Sequence, residues 1–189
     1  MIEHFYQNID GWFYAEDVYD DILKLNQDGA HFVEVGSFFG KSSSYMAVNI
    51  INSNKKIKFD CVDTWRGSSN MKNMPCVIND TMYDTFITNM KPVTGYYNDI
   101  KMASVEAAKL YENNSLNFVF LDAGHEYKNV KDDIIAWLPK IKPGGILAGD
   151  DLIDRWPGVS MAVNELLKKA KVKGNASNPC WWYVKPLKF

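Results

Sequence analysis

Four short apolar runs, HFVEVG (31–36), IKFDCVD (57–63), LNFVFLD (116–122) and GILAGD (145–150), each end in glycine or an acid. Their β-branched and aromatic content marks each as a candidate buried strand. Between and around them the apolar spacing turns helical, predicting helices over 15–26, 41–52, 78–90, 104–112, 127–140 and 159–170. Asn79 or Asp80 and Ser104 are candidate N-caps, and the Pro143-Gly144-Gly145 turn is expected to stop the fifth helix. Alternation of this kind calls for a parallel sheet covered by helices on both faces. Shorter runs at 93–97 and 181–185 would add further strands, the last of them antiparallel at an edge.

With 189 residues, 47% of them hydrophobic, the chain can bury one substantial core but not two. A single domain over 1–189 is expected, with a helical cap over 1–28. The net charge of -2 comes from interspersed acids and bases. Without a basic block there is no electrostatic footprint for nucleic acid or anionic lipid. Neither a leader-like N-terminus nor an apolar run of about 18 residues is evident, so a cytoplasmic protein is expected. Cys61, Cys76 and Cys180 lack the spacing of a zinc site or disulfide framework and read as packing residues, Cys61 within a strand.

Ligands of such sheets bind beyond the carboxyl ends of the strands, where strand order reverses. The residues found there are Gly36, Asp63, Asp122, Asp150 and Asp151. The first strand runs into VEVGSFFGKSSSYMA (33–47), which superficially suggests a triphosphate loop. Only three residues separate Gly36 from Gly40, one too few for that loop, and Ser37-Phe38 replaces the second glycine of a dinucleotide fingerprint. What remains is a glycine turn into a helix whose first turn carries Ser42, Ser43 and Ser44. Its free N–H groups suit a carboxylate as well as a phosphate. Glu34 could attract an ammonium group, and Asp63, 27 residues after Gly36, could accept ribose hydroxyls. S-adenosylmethionine carries all three features. In the plainer reading, the glycines make a turn and the serines cap it.

The set Glu34, Gly36, Gly40, Ser42 and Ser43 resembles the first motif of class I methyltransferases, and is particularly similar to the catechol O-methyltransferase group. IDGWFYAEDVYDDI, VDTWRGS, LDAGHEYKNVKDD, GDD followed by WPGVSMAVNE, and CWWYVKP resemble the wider bacterial family, which includes macrolide-sugar O-methyltransferases. The resemblance implies a Rossmann-like, doubly wound, mostly parallel seven-stranded α/β sheet with an antiparallel edge strand. It also places Ser37, Phe38, Thr64, Trp65, Ala103, Ser104 and Asp122 at the cofactor. A homodimer is common among such relatives, and the sequence itself leaves oligomeric state open.

Asp122 ends one strand and Asp150 and Asp151 end the next, so three carboxylates should converge on a small volume and call for a cation. Oxygen ligands point to a hard ion, Mg²⁺ first, with Mn²⁺ or Ca²⁺ as alternatives. The family's metal ligands match these three positions, with Asp151 where the catechol enzymes have asparagine. An aliphatic hydroxyl lies about 9 pKa units from neutrality, roughly 12 kcal/mol, so a base needs help from the ion. His125, where the catechol enzymes carry a catalytic lysine, is the first candidate base. Asp122 is the second, and a supporting bond to a metal ligand is the alternative role for the histidine. Residues 66–77 read as a lid, and Trp12, Phe13 and Trp156 as walls for a small hydroxylated acceptor, sugar or catechol-like.

Overall fold

The computed structural model describes residues 1–68, 71–175 and 177–187. Seven strands form one sheet: β1 (His31–Val35), β2 (Lys58–Asp63), β3 (Asn98–Lys101), β4 (Leu116–Leu121), β5 (Ile141–Gly149), β6 (Lys171–Asn175) and β7 (Asn178–Val184). Their order is β3-β2-β1-β4-β5-β7-β6. The first five run parallel, while β7 is antiparallel to both β5 and β6. The chain therefore winds outward from β1 to β3 and returns to lay β4 on the other side of β1. That reversal is the crevice where doubly wound sheets bind ligands.

Seven helices cover the sheet: α1 (Glu16–Leu25), α2 (Lys41–Ser53), α3 (Pro75–Ile78), α4 (Met82–Met90), α5 (Ser104–Ala107), α6 (Tyr127–Trp137) and α7 (Pro157–Leu166). Successive strand residues face opposite layers. Phe32, Phe118, Phe120, Ala148 and Trp182 join one core with Val18, Tyr19 and Ile22 of α1, Met46 of α2 and Phe86 of α4. Val33, Val119, Leu121, Leu147 and Trp181 join the other with Val130 and Ile134 of α6 and Val163 of α7. Cys61 and Cys180 are buried and Cys76 packs on the core, all three as free thiols. Helix α1, expected in a cap, is built into the first core.

Several elements depart from the sequence reading. The strand expected at 93–97 forms at 98–101, because Pro92 opens a 3-10 turn over Lys91–Val93. The helix expected over 78–90 is broken by Asp80 at φ 53 into α3 and α4. Thr81 rather than Asn79 or Asp80 occupies its N-cap, and Ala103 rather than Ser104 occupies that of α5. Pro143-Gly144-Gly145 is not a helix stop. It lies within β5, whose register against β4 shifts between Leu116 and Phe118, while Lys185 pairs with Gly144 and Gly145. Strand β6, KVKGN, lies beyond β7 at the edge, where its lysines discourage pairing with another chain and hide the apolar alternation of a strand.

Away from the crevice, Asp60 sits buried in β2 and accepts from Asn98 (2.8 Å) and Tyr111 (2.8 Å) and pairs with His31 Nε2 (2.6 Å). Burial pushes its carboxyl up, but the bonds from His31, Asn98 and Tyr111 outweigh it and hold it below the usual range. A depressed folded value stabilises the fold above the unfolded carboxylate range and loses that effect as pH falls through the folded value. Asp60→Asn should cost about 1.5–3 kcal/mol at pH 7 in urea unfolding, the range for bonds to a charged group. The gap to the parent should close as pH falls to about 2; a gap untouched by acid would rule this account out.

Candidate active site

The β1 turn is fixed by a backbone collision that only glycine avoids. Gly36 has φ 98, and a Cβ there would lie 1.8 Å from the Asp122 carbonyl oxygen at the end of β4. Backbone bonds continue past the strand ends: Gly36 N–H donates to Val62 (2.8 Å) and Asp122 N–H to Val35 (2.8 Å). The turn is thus pressed against both neighbouring strands.

Glu34 is 1% exposed, and its carboxylate accepts from Tyr19 Oη of α1 (2.7 Å), Ser37 Oγ (2.7 Å) and Ser43 Oγ. Here the acid expected to face an ammonium group points inward and ties α1, the turn and α2 together. Lys41 likewise reaches no phosphate-like position; its ammonium donates to the Ile9 carbonyl (2.9 Å) and anchors the N-terminal segment. Gly40, at φ 89, is the N-cap of α2, with Ser42 and Ser43 buried behind it.

Asp63 clamps the opposite side of the turn. Its two oxygens accept the Phe38 N–H (2.9 Å) and the Trp65 N–H (2.8 Å), and Trp65 Nε1 donates to the Phe38 carbonyl (2.8 Å). Phe38 and Trp65 hold φ values of 46 and 50, a left-handed backbone that costs side-chain-bearing residues about 1–3 kcal/mol each. Burial raises the Asp63 carboxyl while these backbone donors pull it down. The Trp65 side chain is core, tilted on Phe86 at 4.7 Å, and reaches the turn only through its Nε1. Thr64 Oγ1 accepts the Arg66 N–H (3.2 Å).

Across the switch point, ligand atoms of Asp122, His125 and Asp151 lie within 4.8 Å of one another. His125 Nε2 is 2.7 Å from Asp151 Oδ2. The imidazole stacks on Trp156 at 4.2 Å and 26°. Helix α7 approaches this closely because Gly158 has no side chain; a Cβ would lie 2.5 Å from the His125 carbonyl oxygen. Asp151 turns the chain at φ 62. Asp150 is not part of this trio: its Oδ1 accepts from the Asp151 N–H (2.8 Å) and from Asn178 Nδ2 of β7 (3.0 Å). Its carboxyl is pushed up to about 6, mainly by burial. Burial, then the charges of Asp150 and Asp151, drive Asp122 well above the usual range.

The remaining expected residues divide. Ala103 is exposed at the β3 exit, and Ser104 Oγ accepts from Trp137 Nε1 (2.9 Å) and bonds Asp133 of α6, a network the sequence did not reveal. Phe13 is buried against Tyr19 and Tyr45 and cannot wall a pocket. Trp12 is 68% exposed and stacks on Phe38. In the expected lid, Met71, Cys76 and Val77 pack on the core, and residues 69 and 70 lie outside the described residues. Tyr19 and Asn178 escaped the sequence reading, and Cys180, read only as packing, also donates to Asp150 (3.5 Å); a glutamate amid valines in a buried strand was the signal that donors had to be found.

The sheet order, with a glycine turn at its switch point, is that of the Rossmann-like methyltransferase fold. A family model described as a methyltransferase domain matches residues 33–152, and the chain belongs to that family. The chain is 27% identical over 150 residues to an uncharacterized protein of Acanthamoeba polyphaga mimivirus, covering 76% of this chain and 62% of that one. Among solved structures, the O-methyltransferase NovP superposes with a TM-score of 0.68 at 13% identity, covering 91% of this chain and 78% of that one. CalS11, described as a TDP-rhamnose 3′-O-methyltransferase, gives 0.60 at 17% identity, covering 88% and 76%. Among the described residues no helix is long and apolar enough to cross a membrane.

Gly36→Ala should remove about 2–4 kcal/mol, summing a left-handed backbone penalty with an overpacked contact. Thermal melts and calorimetric titration with S-adenosylhomocysteine should show a lower Tm and weaker binding together. A variant that melts and binds like the parent would refute the collision.

Proposed function

We propose that the chain transfers the methyl group of S-adenosylmethionine to a hydroxyl oxygen of a small acceptor, a sugar or catechol-like diol, with help from a divalent cation. The observation that carries this reading is the gathering of Asp122, His125 and Asp151 within 4.8 Å at the switch point. The described donors fit a hard ion: crowded carboxylates whose own charges raise the Asp122 carboxyl are relieved by a positive charge. Asp122 and Asp151 would hold it, with Asp150 supporting Asp151 through its backbone N–H. When bound, such an ion lowers the pKa of an oxygen beside it by several units.

The cradle for the cofactor is the Gly36 turn, held in shape by Glu34 from within and Asp63 from the side. S-adenosylmethionine supplies an activated methyl group, so the chain's task is alignment and proton removal. His125 has the chemistry and placement of the base. Its ring is fixed between Asp151 and Trp156: Nε2–H donates to the Asp151 carboxylate, 2.7 Å away, which leaves Nδ1 to accept the proton of the acceptor hydroxyl. The fold likeness to CalS11 supports a sugar-type hydroxyl.

Calorimetry with S-adenosylmethionine, then Mg²⁺, then both with catechol or a methyl glycoside separates this reading from a metal-independent methyltransferase and from a non-catalytic S-adenosylmethionine-binding module. Binding of the cofactor and of the ion, followed by methyl transfer, is the expected result. Cofactor binding with turnover indifferent to EDTA would remove the cation. His125→Ala should leave cofactor affinity unchanged and lower turnover by about 10²–10⁴-fold. Unchanged turnover would exclude His125 as the base.

A further inference from the structure

The chain has two arginines, Arg66 and Arg155, among 21 basic residues. Both fall in loops at the carboxyl edge, Arg66 after β2 and Arg155 after β5, on either side of the β1 and β4 switch point. Exposed cations elsewhere on the protein are lysines. The placement matters because the two residues are not equivalent: the planar guanidinium offers paired N–H donors matched to an oxyanion, and is less strongly hydrated than an ammonium.

Arg155 is also held in an unusual way for its surroundings. Its guanidinium lies 5.0 Å over the ring of Trp156, and that ring stacks at 4.2 Å on His125. Asp151 and Asp154 are close in sequence, yet among the described residues Arg155 forms no ion pair with an acid. Asp151 is engaged with His125 instead. The guanidinium edge is thus left open while its face is anchored, at the far end of a stack that begins at the proposed base. A site crowded with Asp122, Asp150 and Asp151 would by itself repel an anionic molecule; a cation on the rim offsets that field where the molecule enters.

We infer that Arg155 is a specificity-determining residue, binding a phosphoryl or carboxylate group carried by the acceptor near the hydroxyl that is methylated. This rests on the methyl-transfer reading above and deepens it: the acceptor is a hydroxylated anion rather than a neutral diol.

The test pairs acceptors that differ by one anionic group: catechol with 3,4-dihydroxybenzoate, and methyl glucoside with glucose 1-phosphate. Each is titrated by calorimetry into the full chain with S-adenosylhomocysteine and Mg²⁺, at physiological ionic strength. At least one charged member should bind tenfold or more tighter than its neutral partner, and the responding pair tells carboxylate from phosphoryl. Arg155→Gln should erase that advantage, leaving the neutral partner and S-adenosylhomocysteine bound as before, while Arg155→Lys should restore only part of it. Equal binding within both pairs, no binding of either charged member, or a preference that survives Arg155→Gln would each overturn the inference. So would a variant that loses S-adenosylhomocysteine instead, since Arg155 would then serve the cofactor. The underlying methyl-transfer reading is scored separately, by S-adenosylhomocysteine binding and by methylation of the neutral members.

Discussion

The approach of the β1 turn to the end of β4 leaves no room for a side chain at Gly36. Most of the site's geometry follows from this one contact. It requires β4 to lie beside β1, which the return crossover after β3 provides, and it brings the last residue before the turn within reach of the backbone of Asp122. The acids that end β4 and β5 then project into the same crevice as the turn. Because parallel neighbours are about 4.8 Å apart, no special device is needed to gather these carboxylates beyond strand order itself.

Two treatments of buried charge stand side by side here. Glu34 and Asp63 are surrounded by donors: hydroxyls from Tyr19, Ser37 and Ser43 for the first, backbone N–H groups of Phe38 and Trp65 for the second. They act as fasteners, fixing a turn whose left-handed residues would otherwise relax. Asp122 is driven up by burial and then by the charges of Asp150 and Asp151, while Asp150 and Asp63, despite their donors, are raised mainly by burial. Strain and uncompensated charge are both concentrated at the carboxyl edge, as expected where a fold holds groups for chemistry rather than for its own stability.

Strand identity and helix identity were legible wherever apolar period and length agreed, as at 31–36, 57–63 and 116–122. Boundaries failed where a single backbone preference overrode the pattern: Pro92 moved a strand, Asp80 split a helix, and Pro143-Gly144-Gly145 was absorbed into β5 as an irregularity instead of ending α6. Strand β6 was invisible because edge strands carry lysines in place of alternation. At the site, residue type and strand-end position singled out Asp122, Asp150, Asp151 and His125. Side-chain direction was beyond that reading, since Asp150 turns toward Asn178 and Cys180 only because β7 comes back antiparallel beside β5. Glu34 shows the same limit, its partner Tyr19 coming from a helix that precedes the motif.

The segment common to the family spans residues 33–152, yet two of its buried acids are satisfied from beyond its borders. Tyr19 reaches Glu34 from one flank, and Asn178 with Cys180 reach Asp150 from the other. What sequence kinship recognises as a module is therefore not self-sufficient as a folding unit. Excised at those borders, it would leave Glu34 without its Tyr19 hydroxyl and Asp150 without its β7 donors, so the flanks are constrained by the hydrogen bonds they supply.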